Sequence, residues 1–170
     1  MCGCLAWACI IIWSSSVAAQ DGPSNGNIVK DVAKQVLLDP TTYAPAAIVY
    51  TSMQLDWNTS QPLFQAGYVE LNARYTKSGL PADTPLGYSA GNQKLLLDSL
   101  AIVPSSLANN ALNRIIERSL INKFPEKRTL WKTIGWIERI AFASYASYVV
   151  SGPHFEQWRT NLRMADQLPR

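Results

Sequence analysis

Residues 92–150 hold the feature that most constrains the fold. Two long stretches with helical periodicity flank a short basic turn, NKFPEKR. In the first arm, 92–122, Leu96, Leu100, Val103 and Leu107 recur at steps of four, three and four. That spacing stacks them on one face of a 3.6-residue helix. Lys94, Asp98, Ser105 and Asn109 fall on the opposite face. If the leucine stripe faces inward, Asp98 becomes a candidate buried charge, with Lys94 one turn earlier as its plain partner. Pro104 lies inside the pattern and lacks a backbone donor. Because the apolar face continues through it, a kink is expected there rather than a division into two helices. Pro125 ends the arm, since the residue before proline avoids helical backbone. The second arm, 129–150, carries the small residues Gly135, Ala141, Ser144 and Ser147, which allow a neighbouring helix to approach closely.

This pattern predicts an all-α fold: a small helical bundle organised around the hairpin (92–122, 129–150). The other segments agree. A short helix is expected over 28–38, and an apolar helix with no charge before Asp56 over 43–57. A further short helix is expected over 58–67, with Ser60 as cap, Pro62 early and Gly67 just past its end. Periodicity then stops. Residues 68–91 form a long loop punctuated by Gly79, Pro81, Pro85, Gly87 and Gly91, with one weak strand-like stretch at 68–71. Loops beyond about 12–15 residues are often functional. Ser151-Gly152-Pro153 reads as the start of a last helix carrying Phe155, Trp158, Leu162 and Ala165 on one face. Trp131, Trp136, Tyr145, Tyr148 and Trp158 recur at helical spacing and are expected in the core, a sugar-binding or membrane-boundary surface being their other use.

The first nineteen residues differ from the rest. An uncharged, mostly apolar run ends in Val17-Ala18-Ala19, the pattern of an export signal cleaved after Ala19. The alternatives are an uncleaved anchor and lipidation at Cys9. Residues 20–27 are a polar linker and 28–170 a single domain. All three cysteines (Cys2, Cys4, Cys9) precede residue 20, so a cleaved chain has no disulfide-linked partner and no thiol chemistry.

Charge and motifs narrow the function. The net charge is +3. From residue 20 to 99 the chain has five basic and seven acidic side chains, and from 100 onward ten and five. That excess is too small and too mixed for a nucleic-acid surface. No serine-nucleophile elbow and no phosphate-binding glycine loop occurs. His154, the one histidine, leaves zinc without enough of its usual ligands, so no metal or cofactor is expected. At the start of the last helix it reads as a partly buried polar residue, with a neutral base as the sharper alternative. The one carboxylate pair to nominate for glycoside hydrolysis is Glu70 with Asp83.

Two constellations on the hairpin remain. In an antiparallel hairpin turning at 125–126, facing residues have numbers summing to roughly 251, which sets Arg114 level with Glu138 and predicts a structural ion pair. At the tip, Lys123, Lys127, Arg128 and Lys132 surround Phe124 and Trp131, with Glu126 as the one opposing charge. Basic residues beside boundary-seeking aromatics suit an anionic membrane surface or another envelope protein as partner.

The order Asp56, Ser60, Gly67, Glu70, Asn72 resembles small uncharacterised bacterial envelope proteins that carry an Asp, a hydroxyl residue and then Gly-x-x-Glu-x-Asn at a helix end. The likeness covers under a fifth of the chain. Such families are often multi-spanning, and no activity follows from it. The sequence therefore leads to an exported helical protein, periplasmic or secreted, that acts by interaction. One alternative is an integral membrane protein with spans near 43–55, 95–112 and 134–150 and the basic turn on the cytoplasmic side. Another is a hydrolase with its site in loop 68–91.

Overall fold

The structure, a computed structural model, describes residues 28–168. The segments expected to be an export signal and a linker, and the three cysteines, lie outside the described residues. Five α-helices carry the fold: α1 (Ile28–Leu37), α2 (Ala44–Gln65), α3 (Tyr88–Leu100), α4 (Val103–Lys123) and α5 (Arg128–Ala165). The all-α expectation holds.

α1 buries Val32 and Val36, one turn apart, against α4. It stops at Asp39-Pro40, where the Asp39 carboxylate accepts from the Thr41 amide (3.1 Å) and hydroxyl (2.8 Å) and starts a 3-10 turn over Pro40–Thr42. α2 then runs 22 residues with Pro45 in its first turn, where no donor is missed. The separate helix expected over 58–67 is the end of α2. Pro62 sits in its last turn, where the fixed φ suits the helix and one lost bond is tolerated. The stop is at Gly67 (φ +93°): Tyr68 N donates to Leu63 O and Gly67 N to Phe64 O, both at 3.1 Å.

Five contacts orient the helices. Tyr88 Oη donates to Asn58 (3.0 Å) and Asn110 Nδ2 to Thr42 Oγ1 (2.8 Å), so α3 and α4 run antiparallel to α2. Asp39 meets Arg139 and Asp56 meets His154, so α5 runs parallel to α2. Asn113 meets Arg139, so α4 and α5 run antiparallel across the turn at 124–127. That turn is a 3-10 segment over Pro125–Lys127.

Two proline expectations are corrected. Near Pro104 the chain divides: α3 ends at Leu100 and α4 begins at Val103, with Pro104 in its first turn. Proline there keeps φ and misses no donor, so a break is easier than a mid-helix kink. Ser151 caps nothing. Its hydroxyl donates to Ser147 O (2.6 Å) and α5 continues through Pro153 for 38 residues. The loop at 66–87 holds two isolated antiparallel bridges, Glu70 with Asp83 and Thr76 with Pro85, in place of a strand at 68–71.

Packing reverses the sidedness expected of a bundle. Among the described residues one apolar cluster exists: Val49, Met53, Trp57, Tyr75 and Leu95, with Phe64, Leu86 and Ile102 around it. Elsewhere the interior is small and polar. Thr42, Ser52, Ser99, Ser106, Asn110, Ser147, Ser151 and Asn161 are buried. Most of these serine hydroxyls donate back into their own helix, as Ser52 does to Val49 O and Ser99 to Leu96 O (both 2.8 Å). That satisfies each hydroxyl locally and leaves a smooth surface for close helix approach. The first half of the leucine stripe points outward, with Leu96 and Leu100 nearly half exposed, while Val103 and Leu107 are partly buried. Of the aromatics expected in the core, Tyr145 and Tyr148 are 69% and 76% exposed and Trp136 50%.

Candidate functional site

The reversed packing concentrates chemistry inside, at three places. The first lies where α4, α5 and the turn before α2 meet. Arg139, 3% exposed, reaches Glu117 Oε2 through Nη1 at 3.0 Å and Asn113 Oδ1 at 2.6 Å. Its Nε lies 3.0 Å from Asp39 Oδ2, close enough for charge attraction but off the N–H axis of a hydrogen bond. Arg114 completes the cluster on Asp39 Oδ2 (2.9 Å) and, more distantly, Glu117 (3.8 Å). Two arginines thus offset two carboxylates, as buried charge requires. Gly135 makes the crossing possible, because a Cβ there would sit 2.5 Å from Glu117 Oε2.

The expected Arg114–Glu138 pair is corrected here. The level was right, but Arg114 turns toward Asp39, and Glu138 instead accepts from Asn113 Nδ2 at 2.6 Å. Summed numbers give height along a hairpin and leave rotation about each helix open.

The hairpin tip is the second place. Lys123 and Lys127 lie 5.4 and 5.9 Å from the Phe124 ring centroid, and Phe124 lies 6.3 Å from Trp131. The turn thus brings Lys123, Phe124, Lys127 and Trp131 together, with Arg128 and Lys132 on the first turns of α5 beside them.

The third is a recess of about 250 Å³ lined by Met53, Asn72, Arg74, Tyr75, Asp98, Ala101 and His154. Asp98 takes Arg74 as its partner, not Lys94: Arg74 donates to it from Nε (3.1 Å) and Nη2, and Tyr75 Oη donates at 2.8 Å. Behind the recess, Asp56 accepts from Asn161 Nδ2 on one oxygen and meets His154 Nδ1 on the other, both at 2.9 Å. A carboxylate only accepts, so Nδ1 carries a proton, and in the neutral imidazole Nε2 is left as the acceptor. Asn161, 2% exposed, also donates to Ser60 (2.8 Å) and accepts from Gln157 (2.8 Å), which fixes its amide and so Asp56. His154 therefore lies deep within α5, not at a helix start.

Around this recess burial raises the Glu70 carboxyl above its ordinary value, with Asp56's charge adding and the amides of Asn72 and Leu71 opposing. Burial, then the bond to Asp98, pushes the Tyr75 phenol well above the usual tyrosine range. Loop 66–87 joins Glu70 and Asp83 through their backbones (2.9 and 3.2 Å), and each carboxylate serves a local turn. Glu70 accepts from Asn72 N (2.7 Å), while Ser78 and Thr84 hold the Asp83 carboxyl below its ordinary value.

Sequence reasoning singled out His154 and Asp98 but did not join them to Asp56, Asn161 and Arg74, and it paired Arg114 with Glu138 where the structure pairs Arg139 with Glu117. The usable signal was a charge inside an otherwise apolar helical stretch, which Asp56 and Arg139 both display. No family model, no curated protein and no solved structure matches the chain.

Proposed function

We propose that the chain is a membrane-embedded helical bundle that acts by binding, its two long arms in hydrocarbon and its basic tip against an anionic leaflet. The observation that carries this is the reversed packing. Exposed apolar side chains group at Leu96, Leu97 and Leu100 on α3, at Leu112, Ile115 and Ile116 on α4, and from Leu130 to Val150 on α5. Both arms thus extend over about twenty residues, roughly 30 Å at 1.5 Å per helical residue, which is the thickness of a bilayer's hydrocarbon. Soluble monomers rarely expose patches of that extent. The stretch Tyr88–Lys123 is long and apolar enough to cross a membrane, and 22% of its apolar window is buried. A soluble core helix passes the same length test while mostly buried, so the low burial is what favours lipid.

The interior supports the same reading. Between lipid-facing helices there is no hydrophobic drive to associate, and small residues, hydroxyls and paired charges hold such helices together. The tip follows: Lys123, Lys127, Arg128 and Lys132 each gain about 1 kcal/mol near anionic headgroups, and Trp131 suits the boundary. A hydrolytic reading of loop 68–91 gains a base in His154 with Asp56. Its nominated carboxylates, however, are engaged in turn contacts, and binding remains the reading adopted.

Fractionation of cells expressing the full chain tests this. The protein should stay with membranes through high-salt and carbonate washes and need detergent for release. Release by carbonate would overturn the proposal and favour an exported, peripheral protein or one whose apolar face is covered by a protein partner.

A further inference from the structure

The recess beside His154 stands where polar loop 66–87 meets the exposed apolar helices. Leu97 and Leu100 flank Asp98 and Ala101 on the same turns, and Val150 lies one turn before His154. At about 250 Å³ the recess is smaller than the roughly 300–1,000 Å³ of sites for drug-sized ligands. It suits a group of a few heavy atoms attached to something larger.

Its chemistry is two-signed. Arg74 gives Nε and Nη2 to Asp98, while Nη1 has no protein partner among the described residues and the side chain is 63% exposed. The neutral ring of His154 offers Nε2 as an acceptor, its Nδ1 being held by Asp56, which Asn161 in turn anchors. A lone anion would meet the carboxylates of Asp98 and Asp56, with Glu70 near enough to Asp56 to feel its charge. A lone cation would meet Arg74. A zwitterion brings no net charge and matches both ends.

We propose that this recess binds the zwitterionic headgroup of a primary-amine phospholipid, its ammonium donating to His154 Nε2 and its phosphate accepting from Arg74 Nη1. This rests on the membrane-embedded reading for the source of the ligand. A trimethylated ammonium has no N–H to donate and is excluded by the same contact. A hydroxyl headgroup without an amine leaves Asp98 and Asp56 facing a net anion.

His154 is the one histidine of the chain, which makes its ring a clean reporter. The full chain, labelled with ¹⁵N-histidine in detergent micelles, is titrated with phosphatidylethanolamine, phosphatidylcholine, phosphatidylglycerol and free phosphoethanolamine, with lipid retention followed by native mass spectrometry. Phosphatidylethanolamine should move the Nε2 resonance and be retained roughly tenfold or more over phosphatidylcholine, the scale of one charge-assisted hydrogen bond. Arg74→Gln should weaken retention of both lipids, whose phosphate it holds, while leaving the helical circular dichroism and the Nδ1–H signal unchanged. His154→Gln, which can still bond Asp56 but lacks Nε2, should remove the preference for the ethanolamine lipid. Equal retention of the choline and ethanolamine lipids, or an Nε2 resonance that no lipid moves, overturns the proposal. If the chain proves soluble without detergent and free phosphoethanolamine still moves Nε2, the headgroup chemistry stands and the membrane reading falls.

Discussion

Arg139→Met tests the polar interior directly. Arg139 is the buried cation that touches both acids of the cluster, Glu117 at 3.0 Å and Asp39 at 3.0 Å. Methionine keeps much of the volume and removes the charge. Asp39 and Glu117, each 8% exposed, are then left with Arg114, which reaches Glu117 only at 3.8 Å. Removing one member of a buried ion pair costs about 3–5 kcal/mol, because a desolvated charge is left uncompensated. Against a native stability of about 5–15 kcal/mol that is a large fraction. Denaturant unfolding followed by circular dichroism, in whichever buffer or detergent keeps the full chain dispersed, measures it. Glu117→Gln and the double variant complete a cycle. Once Arg139 is gone, neutralising Glu117 removes an unpaired charge, so the double variant should lose at least about 1 kcal/mol less than the sum of the singles. A loss under about 1 kcal/mol for Arg139→Met, or additive singles, would refute a buried, mutually dependent cluster.

Gly91→Ala puts a Cβ 2.1 Å from Trp57 Cζ2, a rigid ring in the one apolar cluster, so it should cost about 1–3 kcal/mol despite alanine's better helix propensity; the melting temperature and tryptophan emission report it. Gly135→Ala should destabilise the α4–α5 crossing by a similar amount, and Glu117→Gln should not rescue it, since the amide fills the same space. Glu70 has its carboxyl raised by burial, so its contribution to stability is complete below its ordinary value of 4.5 and is lost as pH rises through the raised one; stability of Glu70→Gln, followed against pH, should lack that loss. Reversing charge with Lys123→Glu and Lys127→Glu should weaken association of the reconstituted tip with anionic vesicles at low salt and leave the helical spectrum intact; unchanged binding would make the tip a solvated turn.

Much of the fold is legible along the chain because capping and turn chemistry are local. Asp39-Pro40, Gly67 and Phe124-Pro125 each end a helix where their backbone preferences require. Prolines near helix starts were harder. Pro104 and Pro153 carry the same local preference, yet one opens α4 and the other lies inside α5. Neighbouring packing decides between them, and no window of a few residues contains that information. The site is less legible for a similar reason. Asp56 and His154 are 98 residues apart, and Arg74 and Asp98 belong to a loop and a helix whose meeting depends on where loop 66–87 folds back.

The reversal of sidedness follows from what periodicity measures. Leucines at steps of three and four show that a helix has two faces, not which face meets protein and which meets its surroundings. In water the apolar face turns inward, because burying it is the main drive to fold. In hydrocarbon that drive is absent, and contact between helices must come from close packing and polar bonds. The face carrying Ser99, Ser106 and Asn110 is then the better one to turn inward, since its hydroxyls are satisfied within the helix and Asn110 reaches Thr41 and Thr42 at 3.0 and 2.8 Å. Those residues alternate with Leu96, Leu100 and Leu112 along the same helical path, so one pattern serves either solvent. Here Arg139, Glu117 and Asp39 are buried and find one another, while Leu130, Ile134 and Ile137 are about half exposed, and the membrane proposal rests on that combination.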